Sequence, residues 1–457
     1  MRKFVILLVL LTVLPLVILG TTTIVFWHHE APAHRVAAFQ KIINLFQKEN
    51  PDIKVIQQVV PWGDAWTKTL AAIEAGTTPD FQFSLPELTI TAYEANAIIP
   101  VDDIIQELDS KYQYVQSQLA PYKINGKYWG VPIWTMPMVL IYRPSILEQY
   151  LGTKEPPRTW NELLLAAQKI TLLSSEKGDT IYGIGLTAGN NLCTQEQVYT
   201  IMANLGVKFF DEKGSLTFNS PQTLRAVEFY KDLYMFSPPG STGWAWGEIE
   251  MNFSAGKIAM MPYFGGLQKR FYDLENYDLD AVIQPYPIDG VEGNLIYPND
   301  VHIFKSAVEK GHLEAVKKFL TFIMRPDINA ILTAQMEPGS FVPVTKAAQE
   351  SEYYWNDPII KAFRHMNEVI IEATNYGTLY GFETGSAVNL AIGSISGANT
   401  LAEMIQNVVT NKMGVVDAMK WAEEKMESFM KESLRWGGIP TFMYTIKSIW
   451  RNLDEKI

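Results

Sequence analysis

Short apolar runs alternate with longer, periodically apolar segments through the first hundred residues. Ile24-Val25-Phe26-Trp27 is an unbroken apolar run and reads as a buried strand. Val36, Phe39, Ile43 and Phe46 then fall on one face of a helix, which Asn50-Pro51 ends. Ile53 to Val60 alternates as a second strand. A second helix carries Leu70 and Ile73 and stops at Gly76, and Pro79-Asp80 leads into a third strand from Phe81 to Leu85. Strands separated by helices over such short connections predict an α/β fold, a parallel sheet with helices on its faces. Open sheets of this kind bind ligands in the crevice beyond the carboxyl ends of their strands. The residues placed there are His28, His29 and Glu30 after the first strand, Trp62, Asp64 and Trp66 after the second, and Ser84 and Glu87 after the third.

A second block begins near Pro132 with the apolar strand Val139-Leu140-Ile141-Tyr142. Thr159, with Glu162 three residues on, is the signature of a capping box at a helix start. Ser220-Pro221 opens another helix with proline in the first turn. Ile258 to Met261 reads as a strand with Phe264 just after it, and Trp244 and Trp246 precede a helix. From Leu401 onward the pattern is mainly helical, with Gly437-Gly438-Ile439-Pro440 as a break before a last short segment. No internal repeat or low-complexity tract is present.

The N-terminus changes the picture. Met1-Arg2-Lys3 precedes an apolar stretch from Phe4 to Gly20, the basic head and apolar core of an export signal. Residues 1–20 are read as that signal, cleaved near Gly20 or retained as a membrane anchor, and they place the chain in the periplasm or at the outer cell surface. The 457 residues are ample for two cores. Charged residues are 19% and aromatic residues 12%, a globular composition. The net charge of −11 becomes −13 without Arg2 and Lys3, and no basic run marks a nucleic-acid surface. Cys193 is the only cysteine, so no intramolecular disulfide can form.

Several segments, in order, resemble the maltose-binding-like extracellular sugar-binding proteins that serve ABC importers. Val25-Phe26-Trp27-His28 matches the opening strand, and Phe46-Gln47-Lys48-Glu49-Asn50-Pro51-Asp52-Ile53-Lys54-Val55 the approach to the second. Ala71 to Asp80, Tyr128-Trp129-Gly130-Val131-Pro132, Pro156 to Leu163, and Phe253-Ser254-Ala255-Gly256-Lys257-Ile258-Ala259-Met260 follow at the family's spacing. The resemblance implies a two-lobed periplasmic-binding-protein fold of type II-like topology, with the ligand cleft between the lobes. Lobe one would comprise 24–131 plus 300–338, and lobe two 132–299 plus 339–457. The chain would cross near Val131-Pro132-Ile133, return near Tyr297-Pro298-Asn299-Asp300, and cross again near Pro338-Gly339-Ser340-Phe341. It further implies a monomer that captures a sugar or oligosaccharide and delivers it to membrane permease subunits, with no cofactor and no nucleic-acid partner.

The residue types suit a sugar, whose C–H face packs on aromatic rings and whose hydroxyls need fixed donors and acceptors. Trp62, Trp66, Trp134, Trp244 and Trp246 are the candidate platforms; Trp62 and Trp244 stand beside glycine, outside any apolar stripe. The resemblance adds Phe264, at a position where the family commonly stacks an aromatic ring on the ligand, and Glu87, at an acidic position that binds sugar hydroxyls. His28, His29, Glu30 and Asp64 come from strand ends. Asn190, Asn299, Asp300 and Glu383 come from crossings and helix starts, and Tyr376 and Tyr380 from a glycine-bearing loop that closes over the site. Two rival classes remain open. A secreted glycoside hydrolase would need a pair of carboxylates across the cleft, and no catalytic motif is evident. A metal- or other small-solute-binding transport protein would draw on His28, His29, Glu30 and His34, but adjacent residues of a strand point to opposite faces, so His28 and His29 do not share one ion easily.

Overall fold

The computed structural model describes residues 21–178 and 180–435. The export signal read in residues 1–20 and the break at Gly437-Gly438-Ile439-Pro440 lie outside the described residues. Among the described residues no helix is long and apolar enough to cross a membrane.

Strands β1 (Thr22–His28), β2 (Ile53–Val59) and β3 (Phe81–Ser84) form a parallel set with β1 in the middle. The connecting helices are Ala33–Glu49 and Ala65–Ala75. The second ends where Gly76 takes a left-handed backbone at φ 65°, which glycine adopts without a Cβ penalty. A small hairpin, β4 (Lys123–Ile124) with β5 (Lys127–Tyr128), precedes the 12-residue strand β6 (Val131–Tyr142). The chain continues through β7 (Tyr182–Ile184), β8 (Ile258–Phe264), β9 (Asp280–Val282), β10 (Asn294–Ile303) and β11 (Gly377–Thr378). The main sheet runs β2-β1-β3-β10-β6-β8-β7, with β11 on β10 and β9 on β6. Thus β10 and β6, antiparallel to each other, sit between a parallel group at one end and β8 with β7 at the other.

Two lobes follow from where the apolar side chains go. Val131, Ile133 and Trp134 join Phe26, Phe39, Phe81, Val301, Ile303 and Phe319 in one core. Further along β6, Met138, Leu140 and Tyr142 enter a second core with Tyr199, Tyr230, Leu295 and Tyr297, while Val139 and Ile141, on the opposite face, enter a third with Phe253, Met261 and Ile370. The two long strands therefore run from one lobe into the other. β6 carries Pro132 and Pro137, and the register against β10 shifts between Asn299 and Asp300. Prolines lack the ladder donor, and a bulge bends a strand at a junction of this kind. A third passage brings Val342 against Thr135.

Sequence motifs have visible local causes. Thr159 and Glu162 form a reciprocal capping box, and Ser220 caps the helix Pro221–Tyr234. Gly130 is required by close approach, because a Cβ there would stand 2.0 Å from Asp300 Oδ2 and 2.8 Å from the Tyr122 ring. Asp80 has a structural role: it accepts from the Val25 amide at 2.7 Å and lies 2.9 Å from His312 Nδ1.

Candidate site between the lobes

Residues just beyond the strands of the first lobe form a linked polar and aromatic group. Glu30 accepts from Arg35 Nη1 at 2.6 Å and from the Trp62 indole N–H at 3.3 Å. The other arm of Arg35 donates to Glu337 at 2.6 Å, and its guanidinium lies 4.9 Å above the Phe341 ring. Burial works against the Arg35 charge, but the adjacent Glu30 and Glu337 outweigh it and raise its pKa. Phe341 stacks on Trp134 at 4.9 Å, so the third passage is clamped to the first lobe. Trp62 is half-buried, with His29 and Trp66 rings at 4.4 and 6.4 Å.

From the second lobe, Trp246 packs its ring 5.1 Å from Tyr263 and 5.5 Å from Phe264. Tyr263 donates to Glu250, whose pKa is raised first by burial and then by Glu337, with Arg270 and Arg35 opposing. Those influences tie the second-lobe wall to the Arg35–Glu337 pair of the first.

A deeper cluster centres on Glu87. The Tyr297 hydroxyl donates to its carboxyl oxygens at 2.7 and 2.8 Å, and Ser396 donates to Oε1 at 2.9 Å. Tyr380 is 2.9 Å from Ser396 and accepts from Gln195 at 3.4 Å. Glu196 is 3% exposed, and its Oε2 has no hydrogen-bond partner. Burial raises the pKa of both acids, and the Glu87 charge adds to the rise at Glu196. Among the described residues neither acid forms an ion pair with a lysine or arginine. The Trp134 indole donates to Asn299 Oδ1 at 2.6 Å, leaving Asn299 Nδ2 unpaired.

The remaining candidates stand elsewhere. His28 is fully buried in the first lobe, 2.9 Å from Gln57 and 4.7 Å from the Phe39 ring, and burial lowers its pKa to about 4. His29 holds the Val60 carbonyl at 2.6 Å and Gln82 at 3.0 Å, with its pKa also lowered to about 4 by burial. Both histidines are buried with polar partners inside the first lobe, because β1 is an inner strand flanked by β2 and β3. Among the described residues no cluster of three or more His, Cys, Asp or Glu is placed to hold a metal ion. Asp300 is fully buried, accepts from Thr89 at 2.9 Å, and lies against Gly130. Asp64 is exposed and pairs with Lys68 at 3.2 Å.

Glu383 accepts from Tyr199 at 2.9 Å, and burial raises its pKa to about 7. Asn190 and Tyr376 are exposed, whereas Tyr380 is buried in the Glu87 cluster. Phe264 is the last residue of β8, only 7% exposed and packed in the second core. Trp244 is half-buried. Arg35, Glu337, Tyr297, Ser396 and Glu196 did not emerge from sequence reasoning. Only Tyr297 had a signal, as part of the second crossing.

Known proteins share this architecture. The cyclic alpha-maltosyl-1,6-maltose binding protein of Arthrobacter globiformis superposes with a TM-score of 0.75 at 19% identity, over 90% of this chain and all of that one. A Brucella abortus relative, whose name goes no further than binding protein, is 28% identical over 330 residues, 71% of this chain and 77% of its own. YcjN of Escherichia coli K12, which carries the name of an ABC transporter periplasmic-binding protein, is 24% identical over 436 residues, 90% of this chain and 93% of its own. The family model described as bacterial extracellular solute-binding protein matches residues 41–362, and the chain belongs to that family.

Proposed function

We propose that the protein captures a sugar or oligosaccharide between its two lobes outside the cytoplasm and delivers it unchanged to the permease of an ABC importer. It works as a monomer, with lobe one formed by 24–131 plus 300–338 and lobe two by 132–299 plus 339–457. The observation that carries this reading is the pairing of aromatic rings with desolvated carboxyls at the strand ends. Trp62 stands beside Glu30, and Trp246 and Phe264 stand on the facing wall. Glu87 lies beneath, held by the hydroxyls of Tyr297 and Ser396, with the buried Glu196 beside it carrying an unpartnered carboxyl oxygen. Rings pack the C–H face of a sugar, and buried carboxyls satisfy its hydroxyls. Glu30, Glu87, Trp62, Trp246 and Asn299 are the contacts we assign to the ligand. The N-terminal segment 1–20 serves export or anchoring.

A thermal-shift screen against a carbohydrate panel tests the reading. A sugar present at 100 times its Kd adds about 2.7 kcal/mol of stability. Chromatography of the same mixtures must return the sugar uncleaved; steady hydrolysis, or no shift with any carbohydrate, contradicts the proposal.

A further inference from the structure

A cavity of about 470 Å³ lies at the seam between the lobes, beside the Glu87 cluster. Trp66, Leu70 and Ile90 wall it from the first lobe, and Leu390 and Phe429 from the second. Glu94 is its one ionisable group and, among the described residues, has no hydrogen-bond or ion-pair partner. The helix Pro86–Glu94 joins the two regions. Glu87, Ile90, Thr91 and Glu94 are spaced as one face of that helix, so the face that presents Glu87 to Tyr297 goes on to line the cavity. Opposite it, the helix Ile392–Gly397 places Ser396 on Glu87 while Gly393 and Gly397 border the open space. A Cβ at Gly397 would meet no atom within 4 Å.

Resting on the sugar-binding reading above, we propose that this cavity houses an apolar substituent of the bound sugar, an aryl or alkyl aglycone, so that the protein takes glycosides in preference to free sugars. The lining is mainly apolar, with Thr67, Thr91 and Ser394 its polar side chains besides Glu94, so an apolar substituent finds ring and aliphatic contacts there. The volume falls within the range of small-molecule pockets, roughly 300–1,000 Å³. Burial alone raises the Glu94 pKa to about 8, so near neutral pH the carboxyl keeps its proton and donates to an ether or carbonyl oxygen, without demanding a cation.

The test compares each methyl glycoside with the p-nitrophenyl glycoside of the same sugar by calorimetry. The aryl member of the bound pair is expected to bind at least 10-fold more tightly. Gly397→Leu fills the space, and Phe429→Ala removes a wall; each should abolish that difference and leave the methyl glycoside within about 2-fold. Equal affinities within every pair, or an aryl advantage that survives both variants, overturn the proposal while the sugar-binding reading stands. If no free sugar or methyl glycoside binds, the sugar-binding reading fails. N-phenyl-1-naphthylamine, a neutral fluorescent probe, then reports the cavity separately. Its binding without any glycoside binding would mean that the cavity takes a free apolar molecule, and the aglycone proposal falls.

Discussion

Truncating Trp62 separates a ligand platform from a core residue. The ring is half-buried, held by the Glu30 carboxylate through its indole N–H and by His29 and Phe83 at 4.4 and 5.9 Å. A Trp can bury about 150–250 Å², and roughly 60 Å² of it left open here is worth about 1.5 kcal/mol when a sugar covers it. Losing the N–H that holds Glu30 costs about 1 kcal/mol more. Trp62→Ala should therefore weaken sugar binding by about 2.5 kcal/mol, close to 70-fold, within the range of interface hot spots. Phe264 makes the contrast. It is 7% exposed inside the second core, so Phe264→Ala should cost about 3–5 kcal/mol of stability in the unliganded protein. Calorimetric affinity and unliganded melting on both variants give the answer. If Trp62→Ala melts as far below the parent as Phe264→Ala and binds sugar with unchanged affinity, Trp62 is packing and the assignment is wrong.

Three further outcomes follow from the geometry. His28 and His29 titrate near 4 when folded and near 6.5 when unfolded, so the unfolded chain binds more protons between those values. Stability should fall by about 2–3 kcal/mol per histidine as pH drops from 6.5 to 4, and a His28→Gln, His29→Gln double variant should flatten that part of a denaturation-versus-pH curve. Gly130→Ala should destabilise by about 1–3 kcal/mol or more, read from the urea midpoint, since the new methyl collides with the Asp300 carboxyl and the Tyr122 ring. Dialysis against EDTA should leave sugar affinity unchanged; a loss restored by zinc or calcium would mean that the ligand set has been misread.

The parallel part of the fold was legible because its signals are local. An apolar run, a one-face stripe and Gly76 are each readable within a dozen residues, and so is the box of Thr159 and Glu162. The length of β6 was not, because Pro132 and Pro137 mask a strand whose second half is covered on both faces. The site was only partly legible for the opposite reason. Arg35 meets Glu337 across 302 positions, Glu87 meets Tyr297 across 210 and Ser396 across 309, and no spacing rule reaches that far. Glu87 was reached from its place beyond the third strand and from resemblance, and its partners came from the fold. His28 shows the limit of reading strand ends: its environment depends on β2 and β3 flanking β1, which the residues of β1 do not reveal.

The central claim, reversible capture of a sugar without chemistry, is tested most directly by native mass spectrometry after incubation with a defined mixture of mono- and oligosaccharides. The account predicts one intact sugar per chain and an unchanged mixture in the supernatant. A chain that retains no carbohydrate, or a supernatant enriched in cleavage products, would contradict it.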